Sequence, residues 1–331
     1  MRYRNAEPDF DGFQFDDIND DVARRYVVDN TKKWSACHPD VIYDFTGAIL
    51  VEPRRSLAVI DRKYFIEPTR GGAHEIMTPP ISMKLHGATR SDCHLPTVIH
   101  FDGFLGTNLF HFMMDAMNPF LMMRASGLID FTQPMLINRL VYDRAYVREL
   151  LKLPCFEGVN WKVQEAGEFV ATKRLIKGQA SFAQFSRTYD ELATMVDKQP
   201  HRRVFLDRRP AVQRRLINMD EIGQVLAEHG FETVFAEDLS YLEQAALFAQ
   251  TSHIVGLHGA GLTNLLFCDL PNTRLLELNS KAFLNPHFFW MTNILGIQYH
   301  DMIAGSALDI NWNYSIDPQA FATQIKSLVA I

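Results

Sequence analysis

Apolar positions change rhythm partway along the chain. Between residues 40 and 105 they form short β-branched or aromatic runs separated by Gly, Pro and Arg: Val41-Ile42-Tyr43-Asp44-Phe45, Ile49-Leu50-Val51, Leu57-Ala58-Val59-Ile60 and Thr97-Val98-Ile99-His100-Phe101. Such runs predict short strands and turns. From Asn108 onward the pattern alternates. It predicts a helix over 108–125, a strand at Met135-Leu136-Ile137, a helix near 142–152, and strands at Trp161-Lys162-Val163 and from Phe169 to Ile176. This is α/β wiring.

A helical stretch within Thr188 to Pro200, closing on Lys198-Gln199-Pro200-His201, reads as a hinge before a cleaner α/β unit. After it come strand Val204-Phe205-Leu206, helix Asp220 to His229, strand Thr233-Val234-Phe235, helix Ser240 to Gln250 and strand His253-Ile254-Val255-Gly256. A glycine-rich turn, strand Leu275-Leu276-Glu277-Leu278 and a helix over 286–295 follow. Gly230 stands where a left-handed residue closes a helix, and Asn218 and Ser240 stand where caps open one. The pattern predicts a doubly wound parallel sheet, with ligands at the carboxyl ends of its strands, after Leu206, Val255 and Leu278. The expected organisation is an acidic arm over 1–22, an N-terminal α/β domain over 23–195 and a C-terminal Rossmann-like domain over 196–331. The last helix is expected to be able to pack back on the N-terminal domain.

Composition narrows the class. Of 331 residues, 47% are hydrophobic and 22% charged, ordinary values for a folded globular chain. The apolar stretch Phe110 to Met123 is broken by His111, Asp115 and Asn118, so no bilayer span is expected. The N-terminus has no apolar run after its basic residues, which predicts a cytoplasmic protein. Cys37, Cys93, Cys155 and Cys268 form no C-x-x-C pair and read as reduced small hydrophobes. The net charge is −6, yet Glu7, Asp9, Asp11, Asp16, Asp17, Asp20 and Asp21 fall together with no basic residue among them. The remainder is near neutral and ill suited to nucleic acid. Asp9-Phe10-Asp11 imitates a metal-holding D-x-D and reads as a chance match in an acidic arm.

Three places carry chemistry. The turn Gly256-Leu257-His258-Gly259-Ala260-Gly261-Leu262-Thr263-Asn264 lets the backbone approach a ligand and opens a helix whose N–H groups face it, an anion site in outline. It matches neither the dinucleotide nor the P-loop spacing, which argues against NAD and ATP. Upstream, Arg202-Arg203, Arg208-Arg209 and Arg214-Arg215 crowd around a single acid, Asp207. Arg208 and Arg215 are assigned to phosphate, which a guanidinium grips two oxygens at a time; Arg202, Arg203 and Arg214 are left to solvent. Glu277, in an apolar strand, needs a partner or a ligand and is placed to accept ribose hydroxyls. Third, His111 and Asp115 lie i and i+4 on one helix, a pairing able to act as a general base; a polar stripe bonding to loops is the alternative.

The blocks Val204-Phe205-Leu206-Asp207-Arg208-Arg209, Arg215-Leu216-Ile217-Asn218-Met219-Asp220-Glu221, Gly230-Phe231-Glu232, Leu239-Ser240 with Gln244 and Phe248, Ile254 to Asn264 with Phe267, and Leu276-Glu277-Leu278 resemble, in order and spacing, those of glycosyltransferase family 61. The segment Phe110-His111-Phe112, Asp115, Pro119 is similar to that family's aromatic–His block, with Asn118 where the block often has leucine. Residues 1–95 carry no resemblance. The resemblance implies a GT-B architecture of two Rossmann-like domains facing a cleft, here with extra β structure in the N-terminal part. It also implies inverting transfer from a nucleotide sugar, usually UDP-linked, to a glycan hydroxyl, with no cofactor and no required metal. Bacterial members of the family are associated with capsule and surface polysaccharide, which suggests peripheral contact with a membrane-bound acceptor or assembly complex.

The site expected from residues and resemblance together has His111, Asp115 and His258 as catalytic groups. Arg208, Arg215, Gly259, Ala260, Gly261, Asn264 and Glu277 hold the donor. Two other classes compete: a non-catalytic nucleotide-sugar scaffold, and a metal-dependent hydrolase built on His111, Asp115 and His258, which lacks any H-x-H or H-E-x-x-H spacing.

Overall fold

The computed structural model describes residues 3–4, 24–30, 40–52, 57–61, 64–66, 73–75, 93–102, 105–208, 214–281, 284–304 and 311–330. Asp9-Phe10-Asp11, Cys37 and Arg209 lie outside the described residues. The chain forms two compact units, Met1–Pro8 with Ser35–Glu191, and Asp9–Trp34 with Leu192–Ile331. The helix at 24–30, counted with the N-terminal domain from sequence, groups with the second unit, and its Val27 is buried.

Among the described residues, the first unit is built on nine strands: β1 (Tyr3–Arg4), β2 (Val41–Glu52), β3 (Leu57–Ile60), β4 (Tyr64–Ile66), β5 (Ala73–Glu75), β6 (Cys93–His100), β7 (Met135–Asn138), β8 (Trp161–Gln164) and β9 (Val170–Gln179). Their order is β5-β4-β3-β2-β9-β6-β7-β8, with β1 paired to β2. The β2 to β5 side is antiparallel, and β9, β6, β7 and β8 run parallel. Because β6 leads to β7 on one side and has β9 on the other, the strand order reverses at β6/β9, where doubly wound sheets place ligands.

A long helix crosses this region in three segments, Leu109–Phe112, a π-helical turn Met113–Met117, and Asn118–Ser126. Asn108 caps it by accepting from the Phe110 and His111 amides, and Gly127 ends it in the left-handed conformation. The helix sits directly on β9 because Gly178 has no side chain there: a Cβ would stand 3.0 Å from the Pro119 carbonyl oxygen. Phe101 anchors the packing, meeting Phe112, Phe120, Phe156 and Trp161 edge-on at 5.7, 5.9, 5.9 and 4.9 Å.

The second unit has five parallel strands, β10 (Arg202–Asp207), β11 (Glu232–Phe235), β12 (Thr251–Leu257), β13 (Arg274–Ser280) and β14 (Gln298–Ala304), in the order β11-β10-β12-β13-β14. Counted along the chain this is 2-1-3-4-5, a doubly wound order with its switch point between β10 and β12. Phe205, Val255, Leu257, Leu276 and Leu278 pack on one face with Ile222 and Leu226 of helix Met219–Glu228. The final helix, Pro318–Val329, adds Phe321, Ile325 and Leu328 to the same core. Helix Tyr241–Ala249 opens with a capping box between Ser240 and Glu243.

The segment after the glycine turn is a 3₁₀ run, Ala260–Phe267, where sequence predicts an ordinary helix start. Leu262 to Phe267 are all buried, and the run lies on β12 where Gly256 offers no side chain. A Cβ on Gly256 would fall 2.7 Å from Leu262 Cδ2.

Candidate functional site

At the switch point of the second unit, Arg208 follows β10 and the turn His258-Gly259-Ala260-Gly261 follows β12. The Arg208 Nη1 donates to the His258 carbonyl at 3.3 Å, which lays the guanidinium along the turn. A Cβ on Gly259 would lie 3.5 Å from Arg208 Nε. Gly259, Ala260 and Gly261 are part-exposed while the residues after them are buried, so the turn presents its backbone at the strand ends. Burial raises the Asp207 carboxyl above its usual range, against the pull of the Arg208 amide and the Arg215 charge.

His258 is nearly buried and faces Glu277, with Nδ1 2.6 Å from Oε1. Glu277 is fully buried and accepts a second bond from the Tyr299 hydroxyl at 2.8 Å on Oε2. Parallel register places Glu277 beside Gly256, two residues before His258. The assignment of Glu277 to ribose is therefore corrected: with no exposed surface and both oxygens engaged, it orients His258. The carboxylate favours the tautomer with Nδ1–H toward Glu277, which leaves Nε2 as the ring's acceptor atom. Burial, reinforced by the Glu277 charge, pushes the Tyr299 phenol well above its ordinary value, so Tyr299 stays a donor.

Asn264 lies behind the glycine turn. It is 1% exposed, and its amide donates to Gln244 Oε1 at 2.9 Å and to the Gly261 carbonyl at 3.1 Å. Gln244 in turn donates to the Ala236 and Leu239 carbonyls. Asn264 thus ties the 3₁₀ run to the neighbouring helix through its amide N–H groups, while its buried Oδ1 has no hydrogen-bond partner among the described residues.

The arginines also sort differently. Arg202 forms a two-bond pair with Glu232, and Arg203 donates to the His229 carbonyl. Arg215 is exposed and acts on Asp207 through charge. Arg214, left to solvent by the sequence reading, is part-buried and lines a pocket with His258, Leu278, Asn279, Ser280 and Tyr314.

In the first unit His111 Nδ1 lies 3.0 Å from Asp115 Oδ2, with side chains 29% and 11% exposed. Asp115 belongs to the π-helical turn, a distortion that recurs at functional sites. Asn118 is buried and accepts from the Thr188 hydroxyl, so this departure from the family pattern is a structural tie.

Sequence reasoning missed a buried polar group at the β6/β9 switch. Lys177, 2% exposed, lies 3.1 Å from His100 Nδ1, its register neighbour. Asp102, 1% exposed, accepts from the Asn138 amide at 3.0 Å. Burial pushes the Lys177 ammonium down to about 8, against the pull of Asp102 and Asp115. Burial and the Lys177 charge hold His100 well below the usual histidine range.

The Lys177 displacement has a stability consequence with a definite sign. An unfolded lysine titrates near 10.4, so between pH 8 and 10 the unfolded chain binds a proton that the folded chain has released. Folding is thereby favoured as pH rises through that window. Urea unfolding of the wild type against Lys177→Met should show the wild type gaining about 3 kcal/mol relative to the variant across it. Parallel curves would show that Lys177 is not a buried ammonium.

Among the described residues, no group of three or more His, Cys, Asp or Glu side chains could hold a metal ion. No helix among them is long and apolar enough to cross a membrane.

Residues 109–276 match the model of the glycosyltransferase 61 family, a span that opens at the His111 helix and takes in Arg208 and the His258 turn. The chain belongs to the glycosyltransferase 61 family. A beta-1,2-xylosyltransferase of Arabidopsis thaliana is 33% identical over 104 residues, covering 28% of this chain and 19% of that protein. Beta-1,2-xylosyltransferase RCN11 of Oryza sativa subsp. japonica is 31% identical over 98 residues, covering 27% and 18%. The chain thus spans about a fifth of the length of these relatives.

Proposed function

We propose that this family 61 protein is an inverting glycosyltransferase that moves a sugar from a nucleoside diphosphate, UDP first, to a glycan hydroxyl. The observation carrying this reading is the convergence of Arg208, the part-exposed Gly259–Gly261 turn and the Glu277-oriented His258 at one topological switch point. Such a site suits the leaving diphosphate: guanidinium and backbone N–H groups meet its oxygens, and His258 Nε2 adds a donor when the ring is protonated.

In the reaction the acceptor oxygen forms a bond to the anomeric carbon while the bond from that carbon to the phosphate oxygen breaks. The electron pair of the broken bond leaves with the nucleoside diphosphate. The acceptor proton passes to a base, for which His111 held by Asp115 is the proposed residue. The protein's cations offset the leaving-group charge, so no metal is required. The two units correspond in this reading to the acceptor and donor domains of a GT-B enzyme. Xylose is the first sugar to test, because both relatives are named as xylosyltransferases. Surface polysaccharide synthesis at the inner face of a bacterial membrane is the proposed setting, supported by the family resemblance.

Calorimetry with UDP, in buffer containing EDTA, tests the donor site directly. Wild type should bind, and Arg208→Ala should bind about ten- to a hundredfold more weakly, since one charge-assisted hydrogen bond is worth roughly 1.5–3 kcal/mol. Equal affinity in the two proteins, or binding abolished by EDTA, would overturn the metal-free diphosphate site. A protein that binds UDP-xylose yet never releases UDP with any glycan acceptor would be the non-catalytic scaffold.

A further inference from the structure

Tyr299 is the third member of a buried chain that runs through Glu277 to His258. It stands on β14, next to the strand that carries Glu277, and its hydroxyl donates to Oε2 at 2.8 Å while Oε1 lies 2.6 Å from His258 Nδ1. Tyr299 and Glu277 are both buried. Phe289 meets the Tyr299 ring edge-on at 5.4 Å, and Phe288 meets the His258 ring edge-on at 5.2 Å. Both phenylalanines lie in the first turn of helix His287–Leu295, so one helix packs on the two ends of the chain.

Two further groups bear on Glu277. Asp301 is its register partner in the parallel ladder and is also buried; a second buried carboxyl group close by disfavours the ionised form of its neighbour. Burial, and after it the Glu277 charge, raises the Tyr314 phenol above its ordinary value. The Tyr314 hydroxyl, however, donates to the Leu278 carbonyl at 3.2 Å. Among the described residues it is therefore Tyr299 whose hydroxyl meets the carboxylate.

A buried carboxyl group stays ionised while donors meet its oxygens, and takes up a proton when they are withdrawn. Without the Tyr299 hydroxyl, one proton enters from solvent and settles on Glu277. The resulting acid donates to His258 Nδ1, and the ring hydrogen passes from Nδ1 to Nε2. We propose that Tyr299 is a positioning residue of the transferase: by donating to Glu277 it keeps that group a carboxylate, and so keeps the His258 hydrogen on Nδ1 with Nε2 open as an acceptor. The kinetic consequence rests on the reading of His258 as a group of the donor site; the position of the hydrogen does not.

Long-range ¹H–¹⁵N spectra of the full chain, labelled at histidine, locate that hydrogen without any substrate. The His258 signals are assigned by their absence from His258→Gln, and spectra are taken at mildly alkaline pH, where an ordinary imidazole is neutral. Wild type should carry hydrogen on Nδ1 alone, and Tyr299→Phe on Nε2 alone. Tyr299→Leu is read in the same way if the phenylalanine protein does not fold. A wild-type ring with hydrogen on Nε2, or a Tyr299 variant that keeps it on Nδ1, overturns the proposal.

Turnover, followed as UDP release from UDP-xylose with a glycan acceptor, supplies a second readout. Tyr299→Phe should lower kcat about tenfold with KM unchanged, the worth of one charge-assisted hydrogen bond. Added to Glu277→Gln it should cost nothing more, because the amide has no charge to keep. A tyrosine that merely fills space would lower both backgrounds alike, and that result overturns the positioning role. A hydrogen moved to Nε2 with turnover unchanged would instead overturn the assignment of His258 to the reaction, with the hold of Tyr299 on the proton intact.

Discussion

Replacing Glu277 by Gln should lower turnover about a hundredfold or more while the chain stays folded. The amide keeps the shape of the buried side chain, and its oxygen still accepts from the Tyr299 hydroxyl. Its NH2 group, however, turns toward His258 Nδ1, 2.6 Å from the carboxylate in the wild type. The imidazole must then present Nδ1 as an acceptor, which reverses its tautomer and moves the ring proton to Nε2. On the proposed role of His258 at the departing diphosphate, kcat and kcat/KM should fall together, the signature of an interaction made in the transition state.

Glu277→Ala should differ in kind. It strands the Tyr299 hydroxyl and His258 in a fully buried site, and leaving a buried polar group without its partner costs about 1–3 kcal/mol. Chemical denaturation should register that loss for Ala and little of it for Gln. A Gln variant with normal turnover would remove His258 from the chemistry.

The sequence shows the α/β wiring of the second unit because each of β10, β12 and β13 is an apolar run between short helices, and the cap residues Ser240 and Gly230 mark the helix limits. The turn at 258–261 was visible for the same reason, since glycines at a strand end have few other uses. What it concealed depends on register and backbone conformation. Glu277 reads as an unpartnered acid until parallel pairing brings His258 and Tyr299 to its two oxygens. Arg214 and Arg215 are chemically identical neighbours. Only the left-handed backbone at Arg214, imposed by strand-like bonds to residues 311–314, decides which one lines the pocket. Lys177 follows Ile176 as a surface lysine would, and becomes a buried ammonium because β9 is an interior strand with β2 and β6 on either side. Asn264 sits in a glycine turn and reads as a ligand group; only the structure shows that Gln244, twenty residues earlier, takes its amide while its Oδ1 has no partner among the described residues.

The His111–Asp115 pair should yield the clearest kinetic result. Asp115 Oδ2 lies 3.0 Å from His111 Nδ1, which on the proposed mechanism leaves Nε2 as the atom to receive the acceptor proton, and Asn108 caps the helix that carries both residues. Replacing either should reduce turnover by about a hundred- to ten-thousandfold, the usual worth of a positioned general base and its partner. UDP affinity should hardly change, because UDP binding is assigned to the second unit and a base contributes only as the acceptor loses its proton. The double variant should be little worse than His111→Ala alone, since groups acting as one unit fail together. A stripe that merely ties loops together would behave otherwise, lowering the melting temperature additively and turnover only slightly. Turnover, UDP affinity and melting temperature of His111→Ala, Asp115→Asn and the double variant separate the two. Near-normal turnover in a well-folded Asp115→Asn protein would transfer the base to His258, whose carboxylate partner is already in place.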